Sequence, residues 1–256
     1  TLSDELLSTM PKFLHNHSTN LLLVNPWIAD FAAYDFWLKP MGLLYLAAVL
    51  RREGHNVRLV DCMDRAHPEI LRWQGLAQPL NQRWSTGKFL RQPIPKPAAY
   101  RNIPRHYARY GMPPEIFEKL CRAGPKPEAI LDRFDFGLRT SDLFPTLDDL
   151  PFPAFDLYPK LHYATIMTSR GCPLRCTFCA SNIVSGKYRW RSVDHVGAEL
   201  EWLHRGLGVN EFAFYDDALL TNRDRHFLPL CEKILQQQIT ATFHTPNGLQ
   251  AKFIDA

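Results

Sequence analysis

Apolar runs with the pattern of buried strands alternate with helix-like stretches in two separate parts of the chain, which limits the fold to the α/β class. In the first part, residues 21–26 (LLLVNP) are typical of a buried parallel strand. A helix is predicted from Pro40 to just before Gly54, and residues 56–62 (NVRLVDC) predict a second strand. Strand, helix and strand with short joints indicate a βαβ unit within residues 1–64.

The second part, residues 161–256, repeats this alternation. Three strands are predicted, at residues 163–169, 211–218 and 239–248. Helices separate them: one with Ser192 as its N-cap, and one that Asn222 caps. Repeated strand–helix pairs predict the N-terminal half of a β/α barrel, since a complete barrel takes about 250 residues. The chain starts on Thr and stops within this repeat, so we expect a fragment.

The segment between the two parts differs in composition. Residues 65–140 form a basic, proline-rich insert, with only two regular elements expected, a helix at 116–123 and a strand at 128–131, and residues 141–160 form a linker. Between Arg83 and Arg139 there are 12 Lys/Arg and 5 Asp/Glu, a balance of +7. The segment also carries aromatic residues suited to base stacking: Trp84, Tyr100, Tyr107 and Tyr110. Because no recognised nucleic-acid-binding fold accompanies them, we favour a solvated insert that docks on its own domain over binding to nucleic acid.

The remaining composition favours a cytoplasmic protein with no membrane partner. The longest apolar run, residues 42–50, is far shorter than the roughly 20 residues that span a bilayer. The N-terminus has no basic stretch followed by an apolar core, as a secretory leader would. In a reducing compartment, clustered cysteines more often bind metal than form disulfides.

Three of the six cysteines stand in residues 169–182, SRGCPLRCTFCASN, with the spacing C-x3-C-x2-C at Cys172, Cys176 and Cys179. Such crowding is not typical of core packing, which we expect for the other three: Cys62, Cys121 and Cys231. A structural zinc site needs a fourth ligand. Iron–sulfur clusters use compact cysteine loops, usually with four thiolates, so three leave one iron open. An open position is typical of a catalytic metal site, and we favour a cluster over zinc.

This loop after a first strand, with Phe178 before the last cysteine, resembles the cluster loop of the radical S-adenosylmethionine (SAM) enzymes. The resemblance implies that Cys172, Cys176 and Cys179 bind a [4Fe–4S] cluster whose fourth iron is chelated by SAM, with Phe178 near the adenine. Members of the family cleave SAM reductively to a 5′-deoxyadenosyl radical. It therefore implies an enzyme with an external electron donor, such as flavodoxin or ferredoxin, and an unknown substrate. A non-catalytic cluster-binding remnant and a tRNA-modifying enzyme are the alternatives.

The resemblance also implies cofactor contacts at the ends of the second and third strands. The family often has Gly-Gly-Glu where this chain has Tyr215, Asp216 and Asp217, and a carboxylate there can accept hydrogen bonds from the SAM ammonium. The alternative is that the two aspartates cap the following turn. Polar residues also end the third strand: His244, Thr245 and Asn247. Asn247 is the predicted contact there, or it simply forms a turn, and no catalytic residue is predicted.

The N-terminal part, LLLVNPW with KPMGLLYLAAVLRREGHNVRLVDC, resembles the start of the cobalamin-binding domain that precedes many radical SAM domains. That domain is a five-stranded doubly wound fold, of which only strand, helix and strand are clear here. There is no D-x-H-x-x-G loop, and His55 and His67 are isolated and expected to be solvated. The predicted fold is therefore α/β, with a partial cobalamin-domain-like βαβ unit followed by the first repeats of a radical SAM partial β/α barrel. Cobalamin binding stays open.

Overall fold

The computed structural model describes residues 18–80, 83–132 and 146–254, which fall into two units. The first unit contains the described residues up to 132 together with residues 153–160. The second contains residues 146–152 and 161–254. The described residues of the predicted insert, 65–80 and 83–132, therefore belong to the first unit, and the described part of the predicted linker is divided between the two.

A parallel sheet with the strand order β4–β1–β8 forms the centre of the first unit. Its elements are β1 (Asn20–Asn25), β2 (Ile28–Asp30), β3 (Tyr34–Asp35), α1 (Met41–Arg52), β4 (Asn56–Asp61), α2 (Pro68–Gln74), β5 (Gly87–Lys88), β6 (Arg91–Pro93), β7 (Ala108–Tyr110), α3 (Pro114–Arg122) and β8 (Ala129–Leu131). Leu22 of β1 lies opposite Arg58 of β4 on one side and Ile130 of β8 on the other. The predicted βαβ unit and the strand at 128–131 are confirmed.

Both faces of β1 are buried, which explains its continuous apolar run. Leu21 and Leu23 pack against α1, in a cluster that includes Leu46. Leu22 and Val24 point to the other face and pack with residues of α2 and α3. Each fully buried leucine contributes about 1.5–3 kcal/mol relative to an exposed one, so burial on both faces of this strand contributes to the stability of the unit.

The insert is more regular than the sequence predicts. It also contains α2 and strands of two small antiparallel sheets, β2–β7–β6 and β3–β5, so the expectation of only two regular elements was wrong. The partners β2 and β3 lie more than 50 residues earlier in the chain, and such short strands show no periodicity of their own. The Tyr107 hydroxyl donates to the Ala29 carbonyl (2.7 Å), and Tyr110 is buried. The insert thus docks on its own unit, as favoured.

The expectation of solvated histidines was wrong for His55, whereas His67 is partly exposed. His55 is buried, and its Nδ1 accepts a hydrogen bond from the Thr19 backbone N–H (3.4 Å). His67 is the N-cap of α2, where its Nδ1 accepts from the Glu69 N–H (3.2 Å). Both imidazoles thus accept hydrogen bonds from backbone N–H groups.

The second unit contains a parallel sheet with the order β13–β12–β9. Its elements are β9 (Ala164–Ile166), β10 (Ser169–Arg170), α4 (Ser181–Val184), β11 (Arg189–Trp190), α5 (Val193–Glu201) with a π-helical turn (Trp202–Gly206), β12 (Glu211–Phe214), a second π-helical turn (Arg223–Phe227) leading into α6 (Leu228–Gln236), and β13 (Thr242–His244). Ala213 of β12 pairs with Thr165 of β9 and His244 of β13. Parallel strands in chain order with helices between them are the repeat of a β/α barrel wall.

The described residues also include short 3-10 helices, at Ala98–Tyr100, Leu147–Asp149, Phe155–Leu157 and Ala251–Phe253. No helix of the described chain has the length and apolar character needed to cross a membrane.

The two predicted helix caps of the second unit have different outcomes. Ser192 caps α5, because its hydroxyl accepts from the His195 N–H (3.1 Å). Asn222 is the N-cap residue of the second π-helical turn, as predicted, but its side chain makes no capping hydrogen bond. The turn after Asn222 is π-helical, and the Asn222 carbonyl accepts from the N–H groups of both His226 and Phe227. This wider turn does not offer the amide side chain the geometry of an α-helical N-terminus.

Candidate metal centre at the cysteine loop

The three clustered cysteines lie between β10 and β11, shortly after the parallel strand β9. The two flanking strands pair antiparallel, with Ser169 opposite Trp190 and Arg170 opposite Arg189. The loop therefore leaves and returns at one place, at the carboxyl edge of the sheet. In β/α barrels this edge carries the chemistry.

Glycines close the base of the loop. Gly171, the residue before Cys172, has φ +77°, and a Cβ atom there would lie 2.8 Å from the Gly186 carbonyl oxygen. Only glycine allows this close approach in the left-handed region. Within the loop, the Cys179 N–H donates to the Cys176 carbonyl (3.1 Å), which forms a tight turn between the last two thiols.

The thiols differ in accessibility. Cys172 is 9% exposed, whereas Cys176 and Cys179 are exposed. Within residues 18–80, 83–132 and 146–254, no group of three or more His, Cys, Asp or Glu residues is arranged to hold a single metal ion. A structural zinc ion needs its ligands converging on one point. A [4Fe–4S] cluster takes each thiolate on a different iron, so its ligands stand farther apart, and an all-thiolate donor set suits it.

Exposed apolar side chains accompany the thiols. Phe178 is 93% exposed, and Ile183 and Val184 of α4 are also largely exposed. Adjacent exposed apolar residues are typical of binding surfaces. The Phe178 ring is therefore accessible to a ligand, as the predicted adenine contact requires, and that contact stays a prediction.

Asp216, at the end of β12, points inward. It is 2% exposed, and it accepts hydrogen bonds from the Thr168 N–H (3.1 Å), the Thr168 hydroxyl (2.8 Å) and the Ser169 hydroxyl (2.5 Å). Burial raises the pKa of its carboxyl group, which the hydrogen bonds from Ser169 and Thr168 oppose. Asp216 therefore links β12 to the segment that leads into the cysteine loop, and its predicted cofactor contact stays a prediction.

Asp217 lies on the exposed side of the same strand end. Its carboxylate accepts from the Ser181 hydroxyl at the start of α4 (2.6 Å). The exposed Asn247 donates from its amide to the carbonyls of Tyr215 (3.1 Å) and Asp216 (3.3 Å). The structure thus brings the polar residues predicted on the second and third strands into one rim, next to the loop.

The other two polar residues of the third strand have local roles. His244 pairs with Glu211 of β12, with 2.5 Å between Nε2 and Oε2. The Thr245 carbonyl accepts from the Gly248 N–H (2.9 Å), so residues 245–248 form the turn that was the alternative interpretation of Asn247.

A buried ion pair behind the loop was missed from the sequence. Arg191, after β11, pairs with Glu199 of α5, with 2.5 Å between Nη2 and Oε2 and both side chains almost fully buried. Arg191 also donates from Nη1 to the Met167 carbonyl (3.1 Å) and from its backbone N–H to the Thr168 carbonyl (2.9 Å). Burial raises the pKa of Glu199, and Arg191 opposes that shift. The sequence feature that could have predicted this pair was Glu199 itself, a charged residue directly before Leu200 in the apolar stripe of the helix.

Comparison with known proteins agrees with this geometry. The Radical SAM superfamily model matches residues 166–255, from the last residue of β9 through the cysteine loop to a point beyond β13. This part of the chain is a radical SAM segment.

Curated relatives match this chain over similar lengths. An uncharacterized methyltransferase of Pyrococcus horikoshii is 41% identical over 92 residues, 32% of this chain and 20% of the relative. The cytidylyl-2-hydroxyethylphosphonate methyltransferase of Streptomyces wedmorensis is 35% identical over 95 residues, 30% of this chain and 18% of the relative. The anaerobic magnesium-protoporphyrin IX monomethyl ester cyclase of Synechocystis is 30% identical over 88 residues, 34% of this chain and 17% of the relative. The chain thus spans a fifth or less of the length of these relatives.

Proposed function

We propose that this chain is part of a radical SAM enzyme, which uses a [4Fe–4S] cluster to cleave SAM reductively and start radical chemistry on a substrate. The observation that carries the proposal is the loop itself. Three thiols, two of them exposed, lie on a clamped loop at the carboxyl edge of a parallel sheet, within residues that match the Radical SAM superfamily. When bound and reduced by an external donor, the cluster would supply the electron that breaks a carbon–sulfur bond of the SAM sulfonium.

The residues fit such a cluster. Cys172, Cys176 and Cys179 would be its ligands, since they provide three soft donors and leave one iron open for another ligand. Gly171 lets the base of the loop close, and the buried Arg191 holds the returning strand to the end of β9. These contacts hold the ends of the loop while two of its thiols stay accessible.

For SAM, Asp217 is a better candidate than Asp216 for binding the ammonium group. Asp217 is exposed and its carboxylate accepts one hydrogen bond, from Ser181, whereas the oxygens of Asp216 face Thr168 and Ser169 in the interior. Phe178 would cover the adenine, and Tyr215 and Asn247 would shape the rim. This assignment rests on exposure and hydrogen bonding together with the family resemblance.

The net reaction and the partners are not assigned. The relatives are named as methyltransferases and a cyclase, so the proposal stops at the cleavage of SAM. We propose an external electron donor such as flavodoxin or ferredoxin, and a reducing cytoplasmic setting, because free thiols persist there. Cobalamin is not part of the proposal, since the described first unit has a three-stranded parallel sheet in place of five strands.

Anaerobic reconstitution with iron and sulfide tests the cluster. We expect about four irons per chain, the content of one [4Fe–4S] cluster. The Cys176→Ala variant should lose most of this iron, whereas Cys231→Ala, which removes a half-buried thiol of α6, should keep it. A parent chain without iron, or equal iron in both variants, would contradict the proposal.

Cleavage of SAM is tested separately on the reconstituted chain. After reduction with dithionite, we expect 5′-deoxyadenosine, detected by chromatography and mass spectrometry. An Asp217→Asn variant should bind the cluster but need more SAM for half-maximal rate. A chain that holds four irons but forms no 5′-deoxyadenosine would support the alternative of a non-catalytic cluster-binding protein.

A further inference from the structure

A partly open cavity of about 230 Å³ lies in the first unit, between helix α2 and the short strands β5 and β6. Ile70 and Gln74 of α2 line one side, and the segment from Lys88 to Arg91 lines another. The volume corresponds to about eight water molecules, at about 30 Å³ each, and is smaller than the roughly 300–1,000 Å³ of sites for drug-sized ligands. The cavity therefore has room for a small ligand only.

The buried Arg65 fixes one wall of this cavity. Its side chain is 7% exposed, and its Nε pairs with Asp35 (3.2 Å). The same guanidinium donates to backbone carbonyls of the segment next to the cavity: Leu80 (3.2 Å), Ser85 (3.3 Å) and Thr86. Because these bonds hold the segment in place and Asp35 balances the charge of Arg65, the wall is preformed and close to neutral.

Two other cations line the cavity without a counter-charge. Lys88 is the last residue of β5, Arg91 is the first residue of β6, and both side chains are exposed. Among the residues that the structure describes, neither side chain forms an ion pair, and no Asp or Glu lines the cavity. Two uncompensated positive charges therefore lie beside it, which favours a ligand that carries about two negative charges.

Most of the remaining lining is apolar. Ile70 and Phe89 are buried, whereas Leu80 lines the cavity with an exposed side chain, at its rim. Sites for small molecules typically combine an apolar lining with a few polar groups that fix the orientation of the ligand. The lining thus offers contacts to an apolar body as well as to an anionic group.

We propose that this cavity binds a small phosphate monoester with an aromatic or aliphatic body. Lys88 and Arg91 hold the phosphate group, because a monoester carries a charge of about −1.5 to −2 near neutral pH and an arginine can bond two of its oxygens at once. Phe89 and Leu80 contact the body of the ligand. The site lies within the first unit and needs no cluster, so it stands or fails separately from the proposed function.

Isothermal titration calorimetry with phenyl phosphate tests the site on the chain without a cluster. We expect phenyl phosphate to bind at least about tenfold more tightly than inorganic phosphate, which lacks the apolar body, and than phenol, which lacks the charge. Benzoate, with a single negative charge, should bind more weakly than phenyl phosphate. Equal affinity for phenyl phosphate and inorganic phosphate, or tighter binding of benzoate or phenol, would overturn the proposal.

Substitutions of exposed residues separate the two parts of the site. Lys88→Gln and Arg91→Gln should each weaken the binding of phenyl phosphate about tenfold, the effect of one lost charge-assisted hydrogen bond. Leu80→Asn should weaken the binding of phenyl phosphate but leave that of inorganic phosphate unchanged. The matched control is Lys126→Gln, which removes an exposed lysine of the same unit that does not line the cavity and should bind like the parent. Far-ultraviolet circular dichroism checks that each variant is folded.

The control also separates a cavity from a basic surface. An affinity that falls as much in Lys126→Gln as in Lys88→Gln would indicate diffuse attraction to the basic segment and would overturn the proposal. The same holds if a single-stranded RNA binds more tightly than phenyl phosphate and loses affinity equally in both variants. Folded Lys88→Gln and Arg91→Gln variants that bind phenyl phosphate like the parent would also overturn it.

Discussion

The two units each have an aspartate at the end of a parallel strand, and the two aspartates differ in what lies beside them. Asp61, the last residue of β4, is buried and accepts from the Asn25 amide (2.6 Å), the Met63 N–H (2.9 Å) and the Tyr158 hydroxyl (2.5 Å). Asp216, just after β12, accepts three hydrogen bonds in the same way. Both carboxylates satisfy nearby donors and connect a strand end to other segments.

Beyond these carboxylates the two sheet edges differ. After Asp61 the chain stays buried: Asp64 pairs with Lys39 (3.7 Å), and Arg65 pairs with Asp35 (3.2 Å). Next to Asp216, by contrast, the cysteine loop is exposed and carries an aromatic ring that is 93% exposed. The sheet edge next to Asp61 is therefore covered by side chains of its own unit. The sheet edge next to Asp216 instead supports the cysteine loop, which stays accessible to a ligand.

The largest effect is expected from removing the buried ion pair of Arg191 and Glu199 behind the cysteine loop. Glu199→Gln leaves the buried Arg191 without its counter-charge and should lower the free energy of unfolding of the second unit by about 3–5 kcal/mol. The exposed pair of Arg51 and Asp156 is the control, and Asp156→Asn should cost no more than about 1 kcal/mol. Chemical denaturation, followed by hydrogen exchange in each unit, measures the change in unfolding free energy of both variants. Equal costs would mean that Glu199 gives the loop no special support.

A smaller effect is expected from substituting each of the two aspartates, Asp61 and Asp216. Asp61→Asn and Asp216→Asn each replace a carboxylate oxygen, which accepts hydrogen bonds, by an NH2 group that faces the same donors. Each substitution should lower the unfolding free energy of its own unit by about 2–3 kcal/mol. Only Asp216→Asn should also speed the loss of iron from the reconstituted chain. Equal rates of iron loss in the two variants would contradict the inference that Asp216 supports the cysteine loop and Asp61 does not.

The smallest effect is an opposite pH dependence of the two units. Burial raises the pKa of Asp64 to about 6, so the folded first unit binds this proton more tightly than the unfolded chain, and its stability falls as pH rises from about 4 to 6. Burial and Arg191 lower the pKa of His226, so the unfolded chain binds that proton more tightly, and the second unit loses stability as pH falls below about 6.5.

Each slope should reach at most about 1.4 kcal/mol per pH unit. Hydrogen exchange of the two units between pH 4 and 7.5 measures them, with Asp64→Asn and His226→Gln as variants that remove one slope each. Parallel slopes in the two units, or slopes that survive these substitutions, would contradict the assignment.

Local patterns were enough to predict the regular elements that bury their own apolar residues. The strand at residues 20–25 and helix α1 follow from continuous and periodic apolar residues, and the Ser192 cap follows from a serine before a periodic helix. Elements whose partners are distant in the chain were not predictable in this way. Strand β7 has three residues and forms only because β2 and β6 pair with it.

The sequence by itself determined the α/β class, the alternation of strands and helices in the two parallel sheets, and the cysteine loop with its three thiols, because spacing along the chain decides which side chains share a strand, a helix face or a loop. Only the tertiary structure decided the roles of individual polar residues. Asp216 and Asp217 are neighbours with the same side chain, yet one is buried against Thr168 and Ser169 and the other is exposed beside Ser181. The physical reason is that both residues lie just after β12, where one side chain meets buried groups and the other meets exposed ones, and these groups come from distant parts of the chain.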